Sequence, residues 1–171
     1  MSATISVPAS ERWLPRLCSG RPHQIISSGD SPYLHRWFLW PRCRWLNCYL
    51  HHFVGSDDPT ALHDHPWWFL SLCLVGRYRE ISQGATQLRR PGTLALRRPE
   101  HRHRVQLLPN ADGTERGCWT IIITGPRIRP WGFWCTNPDN ETARFVPWQQ
   151  FGPDVCTPTP AASHSGTEVS S

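Results

Sequence analysis

The sequence predicts an all-β fold, a sandwich or barrel of short strands. Three observations carry that expectation. Apolar and aromatic runs recur at residues 34–40, 45–54, 67–75, 77–81, 92–96, 101–108, 118–124 and 133–135, with a last stretch near 145–148. Turn residues separate them: Pro41, Gly55 to Pro59, Gly76, Gly84, Pro91-Gly92, Pro109 to Gly113, Gly125-Pro126 and Asn137-Pro138. No long stretch with a 3.6-residue period intervenes, which argues against a parallel α/β sheet.

In chain order, residues 1–30 mix Ser, Pro and Gly and read as an N-terminal extension. A short helix begins at 10–14 but is limited by Pro15. Residues 31–151 hold the strands and form the barrel. Residues 152–171 are rich in Pro, Ser and Thr with almost no large apolar side chains, and read as a disordered tail. A chain of 171 residues fits one domain of this kind.

Composition narrows the function classes. All eighteen basic residues are arginines, and thirteen carboxylates leave a net charge of +5. The arginines are spread along the chain in nothing longer than pairs such as Arg89-Arg90 and Arg97-Arg98, so nucleic-acid binding is not the expectation. The seven cysteines are odd in number and contain no C-x-x-C, which argues against a disulfide framework and a thiolate zinc knuckle. No secretory leader is expected in the first thirty residues, and no apolar run approaches the ~18 residues of a membrane span. A reducing cytoplasm fits best. Surplus tryptophans, ten in all, and barrel edges make a homodimer plausible.

The chemistry concentrates in histidines. In Leu62-His63-Asp64-His65-Pro66-Trp67-Trp68, strand alternation puts His63 and His65 on one face and Asp64 on the other. The same count adds Trp67, Phe69, Ser71 and Cys73 to the histidine face, with Cys73 too far along the strand to be a ligand. Two imidazoles at the mouth of an apolar interior suit Fe, Mn, Ni, Cu or Zn. About forty residues on, a turn at Pro91-Gly92, a strand, a corner at Pro99 and a strand bearing His101 and His103 offer a third ligand. His101 and His103 share strand parity, so alternation alone does not choose between them.

These two segments resemble the two motifs of the cupin superfamily. The first motif reads G-x5-H-x-H, then Glu, then Gly; the second reads G-x5-P-x-G-x2-H. Here Gly55 stands two residues further from His63 than usual, Gly76 fits the closing glycine, and Gly92 and Pro99 fit the second motif, whose inner glycine is missing. The resemblance covers roughly residues 33–150 and implies a double-stranded β-helix, the cupin jelly-roll barrel. It favours His103, just ahead of the strand's apolar run, as third ligand.

The departure from the family is the glutamate, whose place falls on Phe69 or Leu70. The site therefore resembles the three-histidine subset that includes the thiol dioxygenases. That resemblance implies a divalent metal, Fe(II) by preference, held by His63, His65 and His103. Three neutral ligands leave the full 2+ charge, which suits a small anionic substrate, a thiolate or a carboxylate. Fe(II) oxygenase activity is the resulting expectation; a non-catalytic ligand-binding module and an oxygen-independent metal isomerase or hydrolase are the alternatives. Glu100 is the one nearby carboxylate that could replace the missing ligand, although a residue at a proline corner is more often solvated.

Further residues are candidates around this site. Tyr49 and His51 share a strand face and could enter the pocket, as could His101. Arg127 and Arg129, two apart, could clamp a substrate carboxylate. Trp131, Trp134 and Trp67 could wall the pocket. Asp57, Asp58 and Asp64 are candidate acceptors for the second N–H of a metal-bound histidine.

Overall fold

The computed structural model describes residues 3–6, 12–28, 31–137, 140–152 and 155–156. The described elements are β1 (Ala3–Ser6), α1 (Trp13–Cys18), β2 (Gln24–Ser28), β3 (Ser31–Phe38), β4 (Asn47–Phe53), β5 (Ala61–His63), β6 (Phe69–Val75) and β7 (Tyr78–Ser82). They continue with β8 (Ala85–Arg89), β9 (Leu94–Arg97), β10 (His103–Pro109), β11 (Glu115–Arg116), β12 (Cys118–Thr124), β13 (Gly132–Asn137) and β14 (Asn140–Pro147), before a 3-10 turn at Trp148–Gln150. The strands form two antiparallel sheets. One runs β1-β2-β3-β4-β12-β6-β9, the other β14-β13-β5-β10-β7-β8 with β11 against β10. This is the expected all-β, double-stranded barrel.

The strand interiors alternate as a half-buried sheet requires. In β6, Phe69, Ser71 and Cys73 point in; in β10, His103, Val105 and Leu107 do. The main core joins both sheets through Ile26, Leu34, Phe53, Cys73, Tyr78, Val105, Leu107 and Cys118. A second cluster of Ala61, Phe133, Cys135, Val146 and Phe151 closes the other end, covered by Trp131 and Trp148. Gly76 adopts φ +80°, and a Cβ there would stand 2.6 Å from the Gly117 carbonyl oxygen, so the turn between β6 and β7 requires glycine.

Three differences from the sequence reading have physical causes. First, residues 24–28, expected to precede the barrel, extend its sheet: β2 pairs with β3, and Ile26 is buried in the core. The run QIISS is too short and polar to announce itself. In α1, Pro15 falls in the first turn, where its missing N–H has no intrahelical acceptor to lose. Second, β5 and β6 belong to different sheets. The chain crosses between them at residues 64–68, because Pro66 cannot donate to a ladder. Strand parity counted through Pro66 therefore does not reach Trp67.

Third, Cys135 and Cys156 form a disulfide. Val155 and Cys156 thereby pack on the second cluster, inside the segment expected to be a disordered tail. Residues 153–154 and 157–171 of that segment lie outside the described residues, as do 1–2, 7–11, 29–30 and 138–139, the last including Pro138 of the expected turn. Cys18, Cys43, Cys48, Cys73 and Cys118 are free, and Cys73 is a core residue as expected. No helix among the described residues is long and apolar enough to cross a membrane.

Candidate metal centre

The sheet register brings the histidines together. β5 and β10 run antiparallel with His63 opposite His103, which sets their rings 4.9 Å apart. His65 follows β5 at the corner, where its backbone N–H donates to the Pro99 carbonyl at 3.0 Å. Its ring lies 5.0 Å from that of His63 and 5.2 Å from that of His103. One nitrogen from each of the three rings lies within 4.8 Å of the others. The Nε2 atoms of His65 and His103 are 2.9 Å apart.

Where the cupin pattern carries glutamate, Phe69 supplies a ring instead. It packs 4.5 Å from the His65 ring and 5.6 Å from that of His103. Glu100 is exposed and belongs to neither of the described ligand clusters. The donor set is therefore three imidazoles.

The rings are prepared as ligands. Burial, followed by repulsion from the neighbouring histidines, holds His63 and His65 well below the ordinary histidine pKa. Their lone pairs are thus free at neutral pH. Two nitrogens each about 2.1 Å from one ion, at a right angle, stand about 3 Å apart. The observed 2.9 Å spacing matches that separation, and the neutral nitrogen donors suit a divalent transition metal.

Behind His103 stands Glu80, which the sequence reading missed. Its Oε1 lies 3.0 Å from His103 Nδ1 and 3.2 Å from His101 Nε2. Arg97 grips the carboxylate through Nε (2.9 Å) and Nη2 (2.7 Å), and Arg89 donates to it from Nε at 2.7 Å. Burial alone would raise this carboxyl's pKa. Hydrogen bonds from His103 and Arg97, with their charges, outweigh burial and hold it far below the usual carboxylate range. An ionised Glu80 can only accept, so the Nδ1 proton of His103 points to it and Nε2 is the nitrogen that faces the other histidines. The missed signal is parity: Glu80 shares the inward face of β7 with Tyr78, an unusual place for a charge.

The three aspartates divide. Asp57 accepts the Val105 N–H at 2.6 Å and lies 3.7 Å from His63 Nδ1; burial, partly offset by the Val105 bond, pushes its pKa up to about 6. Asp58 caps the turn before β5 through the Thr60 N–H at 2.8 Å. Asp64 is fully buried and points away from the ligands, accepting from Gly132 N (2.9 Å), Trp134 Nε1 (3.0 Å) and Arg129 Nη1 (2.8 Å).

That last bond corrects the expected arginine clamp. Arg129 is committed to Asp64, with the His65 and Pro99 carbonyls also near its Nη1, so it is a structural tie and not a free substrate anchor. Arg127 is exposed, and no described contact brings it to the histidines. Trp131 stacks on Trp148 at 5.8 Å and touches the site only through Phe133, whose ring is 6.0 Å from that of His63. Trp67 is half-buried and Trp134 serves Asp64. His101 is half-exposed and bonded to Glu80; it stands behind His103, not beside His63 and His65.

Tyr49 and His51 are buried on the inner face of β4, in the opposite sheet. Their rings stack at 5.9 Å. Arg36 donates from Nε to His51 Nε2 at 2.8 Å and from Nη1 to Gln24 Oε1 at 3.2 Å, and its guanidinium lies 5.0 Å from the Tyr49 ring centre. His51 is thereby fixed as an acceptor, and burial, then the Arg36 charge, holds its pKa well down.

No protein-family model and no curated protein sequence matches the chain. Solved structures do resemble it. A Klebsiella pneumoniae protein with a double-stranded β-helix domain is 12% identical over 66% of this chain and 91% of its own, with a TM-score of 0.47. The polyketide cyclase RemF from Streptomyces resistomycificus is 16% identical over 64% of this chain and 76% of its own, with a TM-score of 0.49. A cupin 2 conserved barrel domain protein from Salinispora arenicola is 17% identical over 54% of this chain and 75% of its own, with a TM-score of 0.41.

Proposed function

We propose that this protein is a mononuclear metalloenzyme of the cupin type, a non-haem iron oxygenase acting on a small anionic substrate. One observation carries the reading. Three imidazoles, His103 buried and His63 and His65 half-buried, converge with two Nε2 atoms 2.9 Å apart, and a phenylalanine ring occupies the place of a fourth, charged ligand.

In this reading His63, His65 and His103 hold the ion. Fe(II) bound there would supply electrons to dioxygen in the positions that three protein ligands leave open. The chain's own residues do the rest. Glu80 fixes the tautomer and orientation of His103. Phe69 keeps one side of the cluster apolar and water-poor. His101, half-exposed, bonds to the same Glu80 oxygen as His103 and helps to hold that carboxylate in place. With no carboxylate among the ligands, an anionic substrate meets the full charge of the ion.

The test is elemental analysis of the purified protein, then oxygen uptake after anaerobic loading with Fe(II). Mercaptoacetate, 3-mercaptopropionate and glycolate are suitable substrates to screen. About one iron per chain with substrate-dependent oxygen uptake supports the reading. Absence of any bound transition metal sinks it. Turnover under nitrogen with Zn or Ni would select the oxygen-independent Lewis-acid alternative.

A further inference from the structure

The inner face opposite the histidines carries an unusual row. In register across β3, β4, β12 and β6 stand Arg36, His51, Thr120 and Cys73. Arg36 is half-buried on the face of β3 that carries Leu34, and its contacts with His51 and the Tyr49 ring turn it toward the barrel interior. Among the described residues no carboxylate pairs with it; its partners are a neutral imidazole, an amide oxygen and an aromatic face. Every other arginine that reaches an interior carboxylate, Arg89 and Arg97 on Glu80 and Arg129 on Asp64, is neutralised there. A cation left uncompensated at depth is costly unless an anion joins it.

A second, independent observation lies in the same row. The Thr120 hydroxyl is 1% exposed and has no hydrogen-bond partner. Buried hydroxyls are normally satisfied, so an unpartnered one beside His51 is a donor waiting for an acceptor. The row also lies close enough to the metal cluster for the charge of Arg36 to act on His65.

We infer that Arg36 and Thr120 form a carboxylate subsite on the sheet facing the three histidines. The inference rests on the proposed metal site for its second half: a substrate held by its carboxylate at Arg36 presents another donor, a thiolate or hydroxyl, to the metal. The hydrogen bonds of Arg36 favour this class. Nε and one Nη1 hydrogen are already used by His51 and Gln24, which leaves one N–H on Nη1 and both on Nη2. Free donors on a planar guanidinium match a planar monoanion. His51 and Gln24 are positioning residues that hold the fork in place. The step is binding alone, with no bond made or broken.

Two titrations test it. In metal-free protein, acetate binding is followed by calorimetry in wild type, Arg36→Gln and Thr120→Val. In protein loaded with Co(II), mercaptoacetate and 2-mercaptoethanol are compared by the Co(II) absorption spectrum. The expected result is a loss of about 10- to 100-fold in acetate and mercaptoacetate affinity for Arg36→Gln and a several-fold loss for Thr120→Val. Co(II) uptake and 2-mercaptoethanol binding stay unchanged. Equal mercaptoacetate affinity in wild type and Arg36→Gln overturns the subsite while leaving the metal site standing. Failure of wild type to take Co(II), with Arg36-dependent acetate binding intact, overturns the metal reading and leaves the subsite standing. If Arg36→Gln does not fold, unchanged carboxylate affinity in Thr120→Val overturns the proposal.

Discussion

Replacing Glu80 by Gln tests whether the carboxylate behind His103 organises the site. The amide keeps the shape and can still accept from His103 Nδ1, but it loses the charge and turns an NH2 toward arginine. Two buried or nearly buried guanidiniums, those of Arg89 and Arg97, then lack their counter-ion. Breaking a buried ion pair by removing one partner costs about 3–5 kcal/mol. For a chain of this size each kcal/mol lowers Tm by about 2–4 °C, so a fall of roughly 6–20 °C is expected. The effect on metal is separate. A lost orienting carboxylate weakens metal affinity by about 10- to 100-fold. Denaturant unfolding of the metal-free protein reads the first quantity. Competition with a chromophoric chelator, on folded protein at low temperature, reads the second. Wild-type values for both would refute the reasoning that Glu80 carries the arginines and His103 together. A loss of stability with unchanged metal affinity would reduce Glu80 to a structural ion pair.

Further outcomes follow from the same geometry. His63→Ala should abolish stoichiometric metal binding, measured by elemental analysis, whereas His101→Ala should retain it; equal loss in both would shift the ligand assignment. Asp64→Ala leaves Arg129, Trp134 Nε1 and Gly132 N without their acceptor and should cost about 3–5 kcal/mol in denaturant unfolding, a cost below about 1 kcal/mol contradicting the tie. Metal-free protein should lose stability as pH falls below about 6.5. There the unfolded chain protonates His51, His63 and His65 while the folded chain, with all three pKa values depressed, does not, which gives about 1.4 kcal/mol per group per pH unit. Asp57, raised to about 6, works in the opposite direction below that pH and offsets one of these groups, so unfolding curves at pH 7.5, 6.5 and 5.5 should show a continued but shallower decline. A flat profile would mean that the histidines are solvated.

Much of the fold was legible because its strands alternate. The runs that became β3, β4, β6, β7, β10 and β12 are apolar enough, and the glycines and prolines between them regular enough, to mark a barrel. What escaped was short or polar: β2, β8 and the two-residue β11, which are strands only because a neighbour supplies their hydrogen bonds. In the site, His63 and His65 follow from alternation and meet His103 through a register that no single segment encodes. Arg36 and Glu80 were missed, although both are charges at inward positions, beside Leu34 and Tyr78 respectively. Arg129 was misread because its partner Asp64 is 65 residues away in sequence. Local spacing cannot distinguish a clamp waiting for substrate from one already closed on the protein itself.

The corner at residues 64–68 has a consequence for how much of the protein exists folded. His63 ends a strand of one sheet, and only the five residues 64–68 separate it from Phe69, which begins a strand of the other. An ion gripping His63, His65 and His103 would pin the crossing segment to the sheet that carries β5 and β10, bound by the folded chain and not by the unfolded one. At a hundred times its dissociation constant such an ion adds about 2.7 kcal/mol to stability. Metal supply would then govern abundance as well as activity: chains made in a starved cell would open more often, meet proteases more often, and be cleared before substrate ever became limiting.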